Sequence, residues 1–287
     1  MGSLNHNKIC ELEDFRDLEL IEIMRDVFRH ELPRYSPQFP QGVEYRKYWE
    51  IAMSIRALRQ FGAMREDATI LGIGAGTEVT LFYLANHVGR VIATDIYENS
   101  GEWSQSAPVF MLTEPWQVAP YPYRRDRLDV RHMSALALDL ADNSVDAIFS
   151  SGSIEHFGAL AQIANAAYEM GRVLKPGGIL TLSTEFQLSG PPDSDGYDGL
   201  RLFRREHLLR YIVEASGCQL VDDLHTVCSP ATLASAWEMA KYIHDKETQQ
   251  PRESTPYPRV NEVTWSHYPH IVIDWAPYQF TSVHLTL

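Results

Sequence analysis

ILGIGAGTE, residues 70–78, decides how this chain is read. An apolar run enters three alternating glycines, Gly72, Gly74 and Gly76, with Ala75 between the last two. Residues 77–84 then take on helical character. Glycine removes the Cβ atoms that block a close approach to the backbone and tolerates positive φ. A helix start presents unpaired N–H groups and the positive end of its dipole. The stretch therefore reads as a strand, a nucleotide-type binding loop and a helix. Asp95 follows about twenty residues after the glycines, at the end of a second strand, where a carboxylate accepts hydrogen bonds from ribose hydroxyls.

Outward from the loop, strands are predicted at 68–73, 90–94, 128–132, 145–149, 179–184 and 218–224. Helices are predicted at 78–86, 160–173 and 203–215, and KPGG (175–178) is expected to turn sharply. This alternation argues for an α/β fold, a mostly parallel sheet with helices on both faces. Upstream, Phe15, Leu18, Ile21, Met24, Val27 and Phe28 approach helical spacing across 13–31. Pro33, Pro37 and Pro40 break the chain, and a second helix is expected over 43–61. Residues 1–65 thus read as an N-terminal helical cap and 66–287 as the main domain, with insertions at about 97–127 and 229–266. In the tail, 231–246 is predicted helical, 247–262 an exposed loop, and 270–275 and 280–287 strands. The last alternates and should close the sheet.

Composition narrows the function classes. The 287 residues are 45% hydrophobic and carry a net charge of −13. Such acidity argues against nucleic acid, whose binding needs basic phosphate-contacting surface; the basic run YRRDRLDVR (123–131) is short and interleaved with acids. No window approaches the roughly 20 apolar residues of a membrane helix. The polar N-terminus has no signal-peptide character, and His6 stands where a myristoylation motif wants Ser or Thr. Three scattered cysteines suit a reducing cytoplasm. The histidines form no H-x-H or H-E-x-x-H cluster, so no catalytic metal is indicated. The oligomeric state is left open.

The glycine loop and Asp95 would serve NAD and S-adenosylmethionine alike. The NAD fingerprint wants G-x-G-x-x-G/A. Counted from Gly72 the sixth position is Thr77, and from Gly74 it is Val79, so neither fits. Residues 66–224 instead resemble the class I S-adenosylmethionine-dependent methyltransferases of the small-molecule type. The glycine loop corresponds to the family's acid-x-Gly-x-Gly-x-Gly, and Asp95 to its second-strand acid. SALALDLADNSVD (134–146), SGSIEH (151–156) and GRVLKPGG (171–178) match further motifs in the right order, as do LFRREHL (202–208) and ASG (215–217). The resemblance implies a Rossmann-like sheet ending in an antiparallel strand, with S-adenosylmethionine as cofactor. It implies a cofactor site of Gly72, Gly74, Ala75, Gly76, Glu78, Asp95, Ile96, Met133, Ser134 and Ser151. Three positions depart from the pattern. Gly72 replaces the usual first acid, Glu78 the third glycine, and Ser134 an Asp that meets the adenine amino group. A serine hydroxyl still accepts that bond, and the Glu78 carboxylate is placed to take over part of the lost acid's role.

Methyl transfer is an in-line displacement at a sulfonium. It needs alignment and exclusion of water, and a base only where the nucleophile must lose a proton. His156, after the fourth predicted strand, is the first candidate base. The plain alternative is that Glu155 and His156 are loop or helix-cap residues packing near the cofactor. Glu185, at the end of the fifth, is a second candidate for orienting or deprotonating substrate, against the plain alternative of a satisfied acid. Trp103, Trp116, Tyr121 and Tyr123 in the first insertion suit a substrate lid or a satellite apolar cluster. Tyr45, Tyr48 and Trp49 suit cofactor cover or core packing. The acidic loop GPPDSDGYDG (190–199) is a second lid candidate. The expected function is methyl transfer to a hydroxyl, or an amine, of a small metabolite such as a sugar or secondary metabolite. The alternatives are an NAD-dependent oxidoreductase and a non-catalytic binding protein of the same fold.

Overall fold

A computed structural model describes residues 4–34, 37–101, 103–239 and 269–287. Its strands are β1 (Lys8–Ile9), β2 (Thr69–Ile73), β3 (Arg90–Asp95), β4 (Leu128–His132), β5 (Val145–Ser151), β6 (Leu174–Ser189), β7 (Gly196–Tyr197), β8 (Leu200–Arg201), β9 (Trp237–Glu238), β10 (Ile273–Trp275) and β11 (Tyr278–Thr286). The helices are α1 (Leu18–Val27), α2 (Arg46–Gln60), α3 (Val79–Leu84), α4 (Leu160–Val173), α5 (Arg205–Leu208, continued by a π-helical stretch to Glu214) and α6 (Pro230–Ala234).

Nine strands form one sheet in the order β4-β3-β2-β5-β6-β11-β10-β9, and β1 adds to the free end of β11. The strands from β4 to β6 run parallel, and β11 runs antiparallel to β6. The expected Rossmann-like sheet with its closing antiparallel strand is therefore present. Alternate residues of β2 serve opposite faces, as the pleat requires. Ile70 packs with Trp49, Ile55 and Phe82. Leu71 and Ile73 pack with Ile163, Met170 and Ile212. Both faces are covered, which is why the parallel strands are almost continuously apolar. Among the described residues no helix is long and apolar enough to cross a membrane.

Four expectations need correction. The helical pattern over 13–31 divides at Asp17, whose carboxylate caps the Leu20 N–H, so a 3-10 turn precedes α1. The strand predicted at 179–184 runs instead from Leu174 to Ser189, so the expected KPGG turn falls inside it. It bulges out within β6: Val145 pairs with Leu174 and Ala147 with Ile179, while Gly177 takes φ 77°. The helix predicted over 231–246 is broken after Ala234, where Trp237 and Glu238 pair with β10 instead, and Met239 is helical again; residues 240–246 and the loop at 247–262 lie outside the described residues. The strand predicted at 218–224 does not form. Asp222 there accepts the backbone N–H groups of His6 and Asn7 at 2.7 and 2.9 Å. β1 is thereby docked on β11 in the place such a strand would occupy, and Val221 keeps one bond to Thr286 O.

Candidate active site

The glycine loop leaves β2 and turns over the C-terminal ends of the parallel strands, the edge where such sheets bind ligands. Gly74 has φ +60°, and a Cβ there would lie 2.5 Å from that of Ser153, whose hydroxyl donates to Gly74 O at 2.8 Å. Gly76 has φ +43°, and a Cβ would meet Ser106 O at 2.4 Å. The alternating glycines thus let the loop pass between the turn after β5 and the segment after β3. Several N–H groups expected to face a ligand are used internally. Ala75 N–H is donated to Thr94 O, Glu78 N–H to Ala75 O and Gly76 N–H to Asp95.

Asp95 accepts from Gly76 N at 2.9 Å on Oδ2 and from Ile96 N at 2.7 Å on Oδ1. Burial raises its pKa, against the pull of these two N–H groups. Each oxygen keeps acceptor capacity. The carboxylate is one wall of a cleft of about 520 Å³. Of the site residues expected from sequence, Gly74, Ala75, Gly76, Glu78, Asp95, Ile96, Ser134, Ser151 and His156 line it together. Ala135 and Leu136 supply an apolar wall beside Ser134, whose Oγ accepts from Leu136 N.

Gly72, Met133 and Glu185 do not line this cleft. Gly72 is buried in β2, where a Cβ would lie 2.6 Å from the Phe149 ring. Met133 belongs to the core of the α4 face. Glu185 is buried beside α2, with Oε1 accepting from Arg46 at 2.9 Å and Oε2 without a hydrogen-bond partner among the described residues. Burial pushes its pKa up, against the attraction of Arg46. Neighbouring Glu155 is also pushed up by burial and accepts from Thr184 Oγ1 at 2.8 Å.

His156 sits in the 3-10 turn after β5. Its Nδ1 lies 2.6 Å from Gly199 O in the short turn between β7 and β8. A carbonyl only accepts, so Nδ1 carries the proton and donates it. In the neutral ring Nε2 is then the lone-pair nitrogen. Trp103 packs on this imidazole with ring centroids 4.6 Å apart and also lines the cleft. The other aromatics of the first insertion lie elsewhere. Arg125 stacks on Trp116, Arg29 on Tyr121, and Tyr123 packs on Phe82. Tyr48 and Trp49 are core residues.

Lys47 was not foreseen. It reaches the cleft from the first turn of α2, with Nζ 2.5 Å from Glu50 Oε2 and 3.4 Å from Ser151 O. Its signal in the sequence is the pair of cations Arg46-Lys47 in the first turn of α2. Cations there oppose the helix dipole and need carboxylate partners, here Glu185 for Arg46 and Glu50 for Lys47.

The chain matches the methyltransferase-domain family over residues 71–182. It is 32% identical over 201 residues to a probable S-adenosylmethionine-dependent methyltransferase of Mycolicibacterium smegmatis, covering 67% of this chain and 68% of that protein. The solved structure of YcgJ from Bacillus subtilis superimposes with a TM-score of 0.50 at 16% identity, covering 83% of this chain and 97% of the other. An S-adenosylmethionine-dependent methyltransferase from Aquifex aeolicus gives 0.44 at 15% identity, over 94% and 99%. The glycine loop, the acid ending β3 and the shared sequence over two thirds of both chains lead to one conclusion: this chain belongs to the S-adenosylmethionine-dependent methyltransferases.

Proposed function

We propose that the enzyme methylates a hydroxyl group of a small metabolite, such as a sugar or secondary metabolite, in a reducing cytoplasm. The observation that carries this reading is His156. Its Nδ1–H is committed to Gly199 O, and its ring stands at the cleft. An imidazole fixed in that tautomer offers Nε2 as acceptor for a hydroxyl proton. Trp103 holds the ring against rotation and adds an apolar face for an acceptor molecule. The net charge of −13 and the three free cysteines suit a small-molecule enzyme of the cytoplasm better than one acting on nucleic acid.

The residues fit the cofactor. Asp95 has acceptor capacity for two ribose hydroxyls, Ser134 with Ala135 and Leu136 suits a purine, and the buried Glu78 Oε1 is a carboxylate oxygen without a close hydrogen-bond partner among the described residues. S-adenosylmethionine supplies an activated methyl group on a sulfonium. The chain's own part is to align it, shield it from water and accept the proton released by the nucleophile. Glu185 orients rather than deprotonates in this reading, because its ion pair fixes Arg46 next to Lys47.

Labelled-methyl transfer from S-adenosylmethionine into a metabolite extract, with mass identification of the product, tests the proposal. An O-methylated small molecule is expected. His156→Gln should cut kcat at least ~100-fold. Label on nitrogen, or an unchanged His156→Gln rate, would overturn it.

A further inference from the structure

We propose that Lys47 and Glu78 together grip the amino-acid end of the cofactor, Lys47 pairing with its carboxylate and Glu78 with its ammonium group. The inference rests on the cleft being the cofactor site. It answers a question left by Gly72, which stands in place of the family's first acid.

Position 72 has no room for that acid, since even a Cβ would overlap Phe149. The nearest carboxylate along the loop that reaches the cleft is Glu78. Its Oε1 is buried without a close hydrogen-bond partner among the described residues, and the hydroxyls of Thr80 and Ser151 lie near enough to the carboxylate to favour its charged form. Burial pushes the Glu78 pKa up to about 7, with Lys47 pulling against it. An unpaired buried carboxylate is costly, and an ammonium group from a ligand would relieve it.

The sheet order fixes which end of a ligand meets these residues. β3 and β4, with Asp95 and Ser134, lie on one side of β2; β5, with Ser151 and Gly152, lies on the other. A nucleoside held at Asp95 and Ser134 therefore directs its remaining substituent across the glycine loop toward β5. Lys47 stands there. Gly152, at φ +62°, would bring a Cβ within 2.4 Å of Nζ, so only glycine leaves the ammonium its place. Lys47 has three donors. One is committed to Glu50 and one makes a long contact with Ser151 O. Glu50 is itself fixed by the Ser282 hydroxyl. Lys47 is thus held in the cleft wall with a donor to spare. A fixed cation and an unpaired anion match the two charges of a zwitterionic amino acid.

Calorimetry with two probes separates this claim from the cofactor reading itself. S-adenosylhomocysteine carries the amino-acid end; 5′-methylthioadenosine keeps the nucleoside and lacks it. Wild type should prefer the first by at least 100-fold. Lys47→Ala and Glu78→Gln should each weaken S-adenosylhomocysteine at least tenfold and change methylthioadenosine less than twofold. Equal losses for both probes, or no loss, would overturn the inference. Failure of wild type to bind either would instead overturn the cofactor site. Decarboxylated S-adenosylmethionine gives a test from the ligand side. Wild type should bind it at least tenfold more weakly than S-adenosylmethionine, and Lys47→Ala should show no such difference. Equal binding of the two by wild type would overturn the role of Lys47.

Discussion

Gly72 shows how one position redirects a binding site. Its hydrogen is the only substituent that fits against Phe149 in the middle of the sheet, so the acid usual at this place in the family is sterically barred. Restoring it tests that reason. Gly72→Asp should lower stability by about 1–3 kcal/mol through overpacking, with a buried charge adding to the cost. A denaturant midpoint equal to wild type would show that the site accepts the acid. Much of the cleft was legible in the sequence. Gly74, Gly76, Asp95, Ser134 and Ser151 are fixed by local chemistry, by a turn that needs positive φ and by strand ends, and each stands in the cleft wall. Lys47 was not legible as a site residue. Some thirty residues separate it from the loop, and only the packing of α2 on β6 and β11 brings it there. Met133 shows the opposite error. Adjacent to Ser134 in sequence, it points into the core because neighbouring residues at a strand end face opposite sides.

Among the elements, the free edge of β11 decides the tail of the fold. Strand pairing was predicted from the apolar residues of 218–224, but pairing depends on which segment can satisfy the edge. Asn7 is fully buried. Its Nδ2 donates to Asp222 O and Oδ1 at 2.9 and 2.8 Å, and its Oδ1 accepts from Thr286 N at 2.7 Å. One side chain thus joins β1, the 218–224 segment and the end of β11. Periodicity cannot reveal such a polar clasp, since nothing in the spacing of Asn7 and Asp222 marks them as partners. Asn7→Ala leaves the Thr286 N–H and the Asp222 oxygens short of partners. It should cost roughly 2–4 kcal/mol, at about 1–3 kcal/mol for each buried group left unsatisfied. A urea midpoint within error of wild type would show that β1 contributes little to the edge.

Across the whole molecule, polar groups inside the sheet set its response to acid. His284 of β11 is fully buried, with Nδ1 2.9 Å from Ser183 Oγ and Nε2 3.1 Å from Thr286 Oγ1. Burial lowers its pKa to about 3, with His6 and Arg56 adding to the effect. A histidine depressed on folding contributes stability that is present above its unfolded pKa of about 6.5 and is lost as pH falls toward the folded value. Between pH 7 and pH 4 wild type should lose on the order of 3 kcal/mol through this group, and His284→Gln should show a correspondingly shallower decline. Parallel declines would remove His284 as the cause. We propose that the cleft over β2, β3 and β5 of the same sheet holds S-adenosylmethionine, with Asp95 on its ribose. The most direct measurement is a calorimetric titration of S-adenosylhomocysteine into wild type and Asp95→Ala, with folding of both checked by circular dichroism. Wild type should bind with a Kd near micromolar, about 8 kcal/mol of binding free energy, and the variant at least tenfold more weakly. Absence of binding to wild type, or an unchanged Kd in Asp95→Ala, would contradict it.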